Sequence, residues 1–155
     1  MIIADKIIKY LKDYGDKRIK SYYFGDPLII PAANLPAVIV VKRSSEVSQG
    51  ATGMDEIDKV YTIRVAISKK DELGKSPDEM AVQRTLADIV EKTTSGSWDS
   101  QSIIGILRTY FTLGDTIENQ DISVEYFLSE RGDLLTEEAE LNINIKDFIN
   151  VDERS

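Results

Sequence analysis

The stretch YTIRVAIS, residues 61–68, alternates apolar and smaller or polar residues more regularly than any other part of the chain. This alternation predicts a β-strand with one buried face, because successive side chains of a strand point to opposite sides of the sheet. Outward from it, the β-branched run AVIVVKR at 37–43 predicts a second strand, buried on both faces. Residues 121–129 and 138–148 predict two more strands.

The last two predicted strands are joined by Arg131, Gly132 and Asp133, a cluster typical of a hairpin turn. Helical periodicity predicts three helices, at 2–14, 77–93 and 101–113. Because these helices do not alternate with single strands, we predict an α+β fold, with a mostly antiparallel β-sheet and helices packed on one face. The length is that of one domain, covering residues 1–155.

The alternation also predicts which side chains share a face of the sheet. The residues expected to face the helices and form the core are Ile63, Val65, Val124, Tyr126, Leu141 and Ile143. The residues expected on the opposite, polar face, available to solvent or to another subunit, are Arg64, Glu125, Asn142 and Lys146.

The composition excludes several kinds of chemistry. The chain contains neither Cys nor His, so disulfides, thiolate nucleophiles, Ser-His-Asp triads and the usual zinc sites are all ruled out. Its formal net charge of −8 disfavours binding to phosphate backbones. Charged residues interrupt the apolar residues of 1–14, and no later segment approaches membrane-spanning length. We therefore expect a soluble chain that does not interact with membranes and is not obviously exported.

Residues 69–80, KKDELGKSPDEM, contain the Gly-Lys-Ser ending of a phosphate-binding P-loop. The first glycine of that motif would fall at position 69, where Lys69 stands, and Pro77 removes a further backbone amide. Helix capping explains the same residues, with Ser76 as N-cap, Pro77 at the first helical position and Glu79 completing a capping box. We expect no binding of ATP or GTP, and no other cofactor.

Two acidic clusters are the remaining candidates for a metal site, Asp55–Glu56–Asp58 and Glu137–Glu138–Glu140. Neither has the spacing of a calcium-binding loop, and charged runs are more often solvated surface. We therefore predict no metal site, and any catalysis would have to rest on Asp, Glu, Lys, Tyr or Ser side chains.

Residues 44–60 join two predicted strands but are far longer than the usual hairpin loop. Gly50 and Gly53 loosen the segment, while Val47, Met54 and Ile57 are spaced without a helix or strand period. Two interpretations remain open, a mobile loop tip or an interaction loop that orders against another subunit. In the second, Val47, Met54 and Ile57 are candidate interface residues.

The predicted helix 101–113 has apolar residues over about half its circumference, which is wider than one core contact requires. Deep burial within the subunit and a second contact with a neighbouring subunit both explain this. The second interpretation makes Ile104, Ile106 and Phe111 candidate interface residues, alongside Arg64 and Glu125 on the polar face of the sheet.

The order of these elements resembles the tail terminator, or tail-completion, proteins of tailed bacteriophages. The segments that carry the resemblance are NLPAVIVV (34–41), YTIRVAIS (61–68), SPDEMAVQRTLADIVEKT (76–93), DISVEYFL (121–128) and EAELNINIKDF (138–148). They cover most of the chain and include no catalytic motif.

The resemblance implies a structural virion protein that is assembled in the host cytoplasm, has no catalytic residues and is not an enzyme. Copies of the protein would form a ring, usually a hexamer, that closes the head-proximal end of the tail. Its partners would be the tail tube protein and head–neck connector proteins, and DNA would pass through without sequence-specific binding. Other interpretations are another neck subunit such as a head-closure protein, a small acidic metal-dependent enzyme, and a cytosolic adaptor or chaperone-like binding domain.

Overall fold

The computed structural model describes residues 3–75, 78–110 and 122–151. In chain order the helices and strands are α1 (Ile3–Tyr14), β1 (Ser21–Phe24), a 3-10 helix (Ala32–Asn34), β2 (Ala37–Gln49), β3 (Met54–Ser68), α2 (Lys69–Lys75), α3 (Glu79–Glu91), β4 (Thr93–Thr94), β5 (Ser97–Trp98), α4 (Ile103–Tyr110), β6 (Val124–Arg131) and β7 (Leu134–Asn150). The predicted α+β class is confirmed.

Five strands form the main sheet in the order β1-β2-β3-β7-β6. Only β1 and β2 are parallel, and the other neighbours are antiparallel, as predicted. The hairpin predicted at 131–133 is confirmed, with Arg131 paired to Leu134 across the turn. Gly132 has a φ of 65° there, a conformation that glycine adopts without the steric cost other residues incur.

The helices α1, α3 and α4 cover one face of the sheet and enclose the main core. Ile63, Val65, Leu141 and Ile143 are buried there, as the alternation predicted. Val124 and Tyr126, on the edge strand β6, pack against this core and are only partly buried. The core-facing side of the sheet was therefore predicted correctly.

The opposite face is less polar than expected, because residues 25–36, which we call the strap, cover part of it. Ile30 and Leu35 of the strap are buried against Ala37, Ile39 and Ala66 of the sheet in a second apolar cluster. The prediction of a polar face holds further along the sheet, where Glu125 and Asn142 are exposed.

The helix-capping prediction was wrong in its details. Lys69–Lys75 forms the helix α2, and the following helix α3 begins at Glu79 with Asp78 as its N-cap. The Asp78 Oδ1 atom accepts a hydrogen bond of 3.0 Å from the Met80 backbone N–H. Ser76 and Pro77 lie outside the described residues. Asp78 matches the preference for a short acceptor side chain at this position as well as Ser76 does.

We expect Asp78→Ala to lower the free energy of unfolding by about 1 kcal/mol, because the N-terminal turn of α3 loses its side-chain acceptor. Urea denaturation followed by circular dichroism measures this. Gln83→Ala, an exposed position within the same helix, is the control and should change stability by about 0.5 kcal/mol or less. Equal effects of the two substitutions would show that Asp78 does not act as a cap.

The predicted interaction loop at 44–60 was also wrong as a description of the backbone. Strand β2 continues to Gln49 and β3 begins at Met54, so only the residues between them form a turn. The two strands stay paired from Ser44 opposite Val60 to Gln49 opposite Asp55. The segment is held as strands by backbone hydrogen bonds to its neighbours. It lacks the one-sided apolar pattern of a buried strand, and the sequence therefore did not indicate its strands.

Candidate subunit-interaction surface

The sheet extends beyond its helices as three strands. β1 pairs with β2 only as far as Val40, and β6 pairs with β7 only as far as Leu141. Beyond these points, residues 44–60 of β2 and β3 and residues 144–150 of β7 form a three-stranded extension that we call the arm. Its length from Tyr61 to the turn at Met54 is roughly 23 Å, at about 3.3 Å for each strand residue.

The arm carries apolar side chains on both faces. Val47, Ile57 and Ile149 lie on the face that continues the helix-covered side of the sheet, as the register to Tyr61 and Ile143 shows. Val47 is 60% exposed and Ile149 is 47% exposed, while Ile57 is half-buried. The main core ends at Tyr61 and Ile145, and within the described residues none of these three side chains belongs to it.

The other face of the arm presents Met54 and Phe148, and Phe148 is 56% exposed. Beside them, Lys146 Nζ lies 2.9 Å from Glu56 Oε1. The exposed apolar side chains therefore sit among charged neighbours. Apolar side chains surrounded by charged residues are typical of a surface that meets another protein.

Both outer strands of the arm also have an open edge. Along 41–49 of β2 and 142–150 of β7, no further strand of the described chain pairs on the outer side. An unpaired edge offers backbone N–H and C=O groups to another chain. The bulge between Lys42 and Ser44 and the charges of Lys42 and Arg43 limit unspecific pairing at the base of the β2 edge.

The structure separates the predicted interface residues into four groups, of which three are taken first. Val47, Met54 and Ile57 lie together on the arm, where they are exposed or half-buried. Ile104 and Ile106 are buried in the core of the subunit itself, so their assignment to an interface was wrong. Phe111 lies outside the described residues.

The wide apolar surface of α4 is explained by contacts on two sides within the subunit. Its isoleucines join the core formed with the sheet and α3. On another side, the Tyr110 ring stacks on Tyr10 and Tyr14 of α1, with centroid distances of 5.0 Å and 4.8 Å. Deep burial, the first of the two interpretations from the sequence, is therefore the right one for the described part of this helix.

Arg64 and Glu125, the two remaining candidates, lie on the strap side of the sheet. Glu125 is exposed. Arg64 is engaged within the subunit, since one terminal nitrogen lies 2.8 Å from Asp26 Oδ2 and its Nε lies 3.4 Å from Glu140 Oε2. The second contact is an ion pair without hydrogen-bond geometry, and the Nε has no hydrogen-bond partner. Arg64 is thus a structural residue in the isolated subunit.

A buried charge cluster that sequence analysis did not find holds the strap to the sheet. Arg131 donates to both carboxylate oxygens of Glu138, each at 2.8 Å, and Glu138 is fully buried. The same guanidinium donates to Asp26 Oδ1 at 2.7 Å and to the Pro27 carbonyl at 2.6 Å. The Thr136 hydroxyl donates to Glu138 at 2.6 Å. Both ions are therefore paired and hydrogen-bonded, as buried charges must be.

The pKa of Asp26 reflects this cluster. Burial acts to raise the pKa of its carboxyl, but the hydrogen bond and charge of Arg131, with the charges of Arg64 and Arg43, outweigh burial and lower it. Because the pKa is lower in the folded chain than in the unfolded one, ionised Asp26 stabilises the fold above the unfolded-state pKa. This contribution is lost as the pH falls through the folded-state pKa.

The strap also presents a second apolar surface. Leu28 and Ile29 follow the Pro27 carbonyl that Arg131 holds, and they are 88% and 68% exposed. Ile30, the next residue, is buried. The strap therefore projects two aliphatic side chains from a backbone that is fixed on both sides.

The two sites considered from the sequence, a metal site and a P-loop, can be compared with the described residues. Within 3–75, 78–110 and 122–151 there is no group of three or more acidic side chains placed to hold a metal ion. The segment that resembled a P-loop is helical over Lys69–Lys75, whereas a phosphate-binding loop must wrap its amides around the ligand. Lys69 itself lies 3.5 Å from Glu137.

Comparison with known proteins gives no relative: no protein-family model matches the chain, and no curated protein matches it. In the part of the chain that the structure describes, none of the helices is long and apolar enough to cross a membrane. The case for a function rests on the surfaces described above.

Proposed function

We propose that the chain is a structural subunit of a phage tail, which forms a ring with further copies of itself and closes the head-proximal end of the tail. In this proposal the protein is not an enzyme and needs no cofactor. The ring, expected to be a hexamer, joins the tail tube to the neck proteins of the head, and its place is the virion. The resemblance in the order of elements suggests this role.

The observation that carries the proposal is the arm. Three strands extend beyond the core with apolar side chains exposed on both faces, and no other strand of the described residues pairs with their two outer edges. In a lone subunit these side chains remain largely in contact with water. Each apolar side chain that becomes fully buried on assembly contributes about 1.5–3 kcal/mol. An arm that lies against the next subunit would bury these side chains, and a ring would repeat this gain in free energy at every interface.

The charge of the chain is compatible with a ring through which DNA passes. With 27 acidic and 19 basic residues, the subunit carries a net charge of −8. A surface of this sign repels phosphate, so passing DNA would not be retained by the counterion-release effect that dominates nonspecific binding.

A second candidate, another subunit of the phage neck such as a head-closure protein, is favoured by the same arm, since such a subunit also assembles with copies of itself. The two candidates differ in the partner that each ring binds. Tail tubes purified without a terminator should be capped by the protein in the first case and left uncapped in the second, which electron microscopy distinguishes.

The oligomeric state tests the shared part of the proposal. Size-exclusion chromatography with light scattering should show a species several times the subunit mass of 17.4 kDa, in equilibrium with the monomer. A protein that stays monomeric at every concentration, with tail tubes present or absent, would refute the ring.

We expect the double substitution Val47→Ser and Ile57→Ser to weaken assembly without unfolding the subunit. The two residues lie opposite each other on neighbouring strands and share one face of the arm. Losing two buried side chains from each interface removes about 3 kcal/mol or more, which corresponds to a dissociation constant at least about 100-fold higher. Light scattering over a dilution series measures this constant.

Met80→Ser is the matched control, because Met80 is 63% exposed on α3, away from the arm. It should leave assembly unchanged. Thermal unfolding of the monomer should also be nearly the same for parent, control and double variant. If the double variant assembles as tightly as the control, the arm face with Val47 is not part of the interface.

A further inference from the structure

The subunit has opposite charges at its two ends. The arm carries five carboxylates, of Glu46, Asp55, Glu56, Asp58 and Asp147, against the two cations Lys59 and Lys146. At the other end of β3, Ser68 lines a cleft of about 620 Å³ that also contains Lys17, Lys20 and Lys75. Counting Arg18, four basic residues line this cleft, against the two carboxylates of Asp71 and Glu72. The lining thus carries a net charge of +2 in a chain whose net charge is −8, and the carboxylates of Asp16 and Asp88 lie just outside it, against Arg18.

The ion pairs inside the subunit leave part of this positive charge available. Arg18 pairs with Asp16 and Asp88, and Lys75 lies 3.4 Å from Glu72. Lys17 is exposed and makes only long contacts, of 3.4 Å and 3.5 Å, to two backbone carbonyls at the end of α1. Lys20 is exposed as well. Pro36 and Ala81, both half-buried, add apolar surface to the same cleft.

An arm and a cleft of the same subunit cannot meet. Met54 and Ser68 are the two ends of β3, and β7 pairs with this strand along its whole length. The turn of the arm therefore lies roughly 45 Å from the cleft, at about 3.3 Å for each residue. Any contact between the two surfaces must join different copies of the chain.

We propose that the acidic arm of one subunit binds in the basic cleft of the next copy, which makes the ring contact a head-to-tail one. This inference rests on the proposed function and names the surfaces that the ring brings together. Complementary charge orients the approaching subunits, and the apolar residues of the arm meet the apolar side of the cleft. A contact between two different surfaces closes into a ring when a whole number of equal rotations from one subunit to the next completes a full turn.

Cross-linking between single-cysteine variants tests this contact directly, because the parent chain contains no Cys. Ala51→Cys places a thiol in the turn of the arm, and Lys20→Cys places one at the cleft. A mixture of these two variants, treated with a short bis-maleimide, should give a covalent dimer in much higher yield than Ala51→Cys mixed with Glu125→Cys, whose thiol is exposed on the edge strand β6. Equal yields from the two mixtures would overturn the proposed contact.

Charge exchange provides an independent readout. Lys17→Glu with Lys20→Glu should raise the concentration needed for assembly by about tenfold or more, because like charges then face each other. Asp55→Lys with Asp58→Lys should do the same, and a chain with all four substitutions should recover most of the loss. Circular dichroism checks that each variant is folded, and the cross-linking result stands even if one is not.

The results separate this inference from the function on which it rests. If the parent assembles but the cleft mixture shows no preferential cross-linking and the combined charge exchange gives no recovery, the arm binds elsewhere and the ring remains. If the parent never assembles, both proposals fail.

Discussion

Replacing Val65 with Asp should unfold the subunit. Val65 is fully buried at the centre of the sheet, between Val38 and Ala139 on the side that faces the helices. A carboxylate there would lose its hydration without gaining a cation or a hydrogen-bond donor. We expect a loss of more than about 4 kcal/mol, which is a large fraction of the stability of an ordinary domain. Far-ultraviolet circular dichroism and urea titration would show the loss of the folded state.

Asn142→Asp is the matched control, because it introduces the same carboxylate on the opposite side of the sheet. Asn142 is exposed, and its side-chain oxygen accepts a hydrogen bond of 2.6 Å from the Thr62 hydroxyl, which a carboxylate can also accept. Its effect on stability should be about 0.5 kcal/mol or less. Equal stability of the two variants would contradict the assignment of the two faces.

Arg131→Met should have the second-largest effect, lowering the free energy of unfolding by about 3–5 kcal/mol, because fully buried Glu138 loses its cation. The strap also loses the donor that holds Asp26 and the Pro27 carbonyl. Urea denaturation measures the stability, and hydrogen exchange over residues 25–36 reports on the strap.

The double variant Arg131→Met with Glu138→Gln distinguishes two causes of the lost stability: the unpaired buried carboxylate of Glu138 and the lost packing of the Arg131 side chain. Glutamine keeps an acceptor for the Thr136 hydroxyl but carries no charge, so most of the stability should return. Exchange over the strap should stay fast, since Asp26 and Pro27 remain without Arg131. If Arg131→Met alone costs less than about 1 kcal/mol, the buried pair does not hold the fold together.

Local patterns were sufficient to predict the elements that are buried on one side. The alternation at 61–68 identified the core-facing side of β3, and the helical periodicity over 2–14 identified α1, whose Ile7 and Leu11 pack into the main core. The turn at Gly132 was predictable because its φ of 65° favours glycine, and the sequence places one there. In each case the structure is determined by residues close together in the sequence, either within one turn or through a pattern that repeats along the helix or strand.

The arm and the strap were not predictable in the same way. The strands of the arm are held by backbone pairing with β7, which leaves no one-sided apolar pattern around Val47 and Ile57. The strap is held by Arg131, 105 residues after Asp26, and nothing near Asp26 in the sequence indicates that partner. α4 was ambiguous because a helix packed on two sides has the same composition as one packed against a neighbouring subunit.

The continuity of β3 and β7 from the arm into the core has a mechanical consequence. A pull on the arm along its length acts parallel to these strands, and their hydrogen bonds run perpendicular to it. Because both strands run unbroken from the arm into the core, their covalent backbones carry the load, and the bonds from Met54–Asn150 to Ser68–Thr136 are not opened one after another as in a zipper. A tensile load on the arm is thereby shared along the full length of the central strand pair.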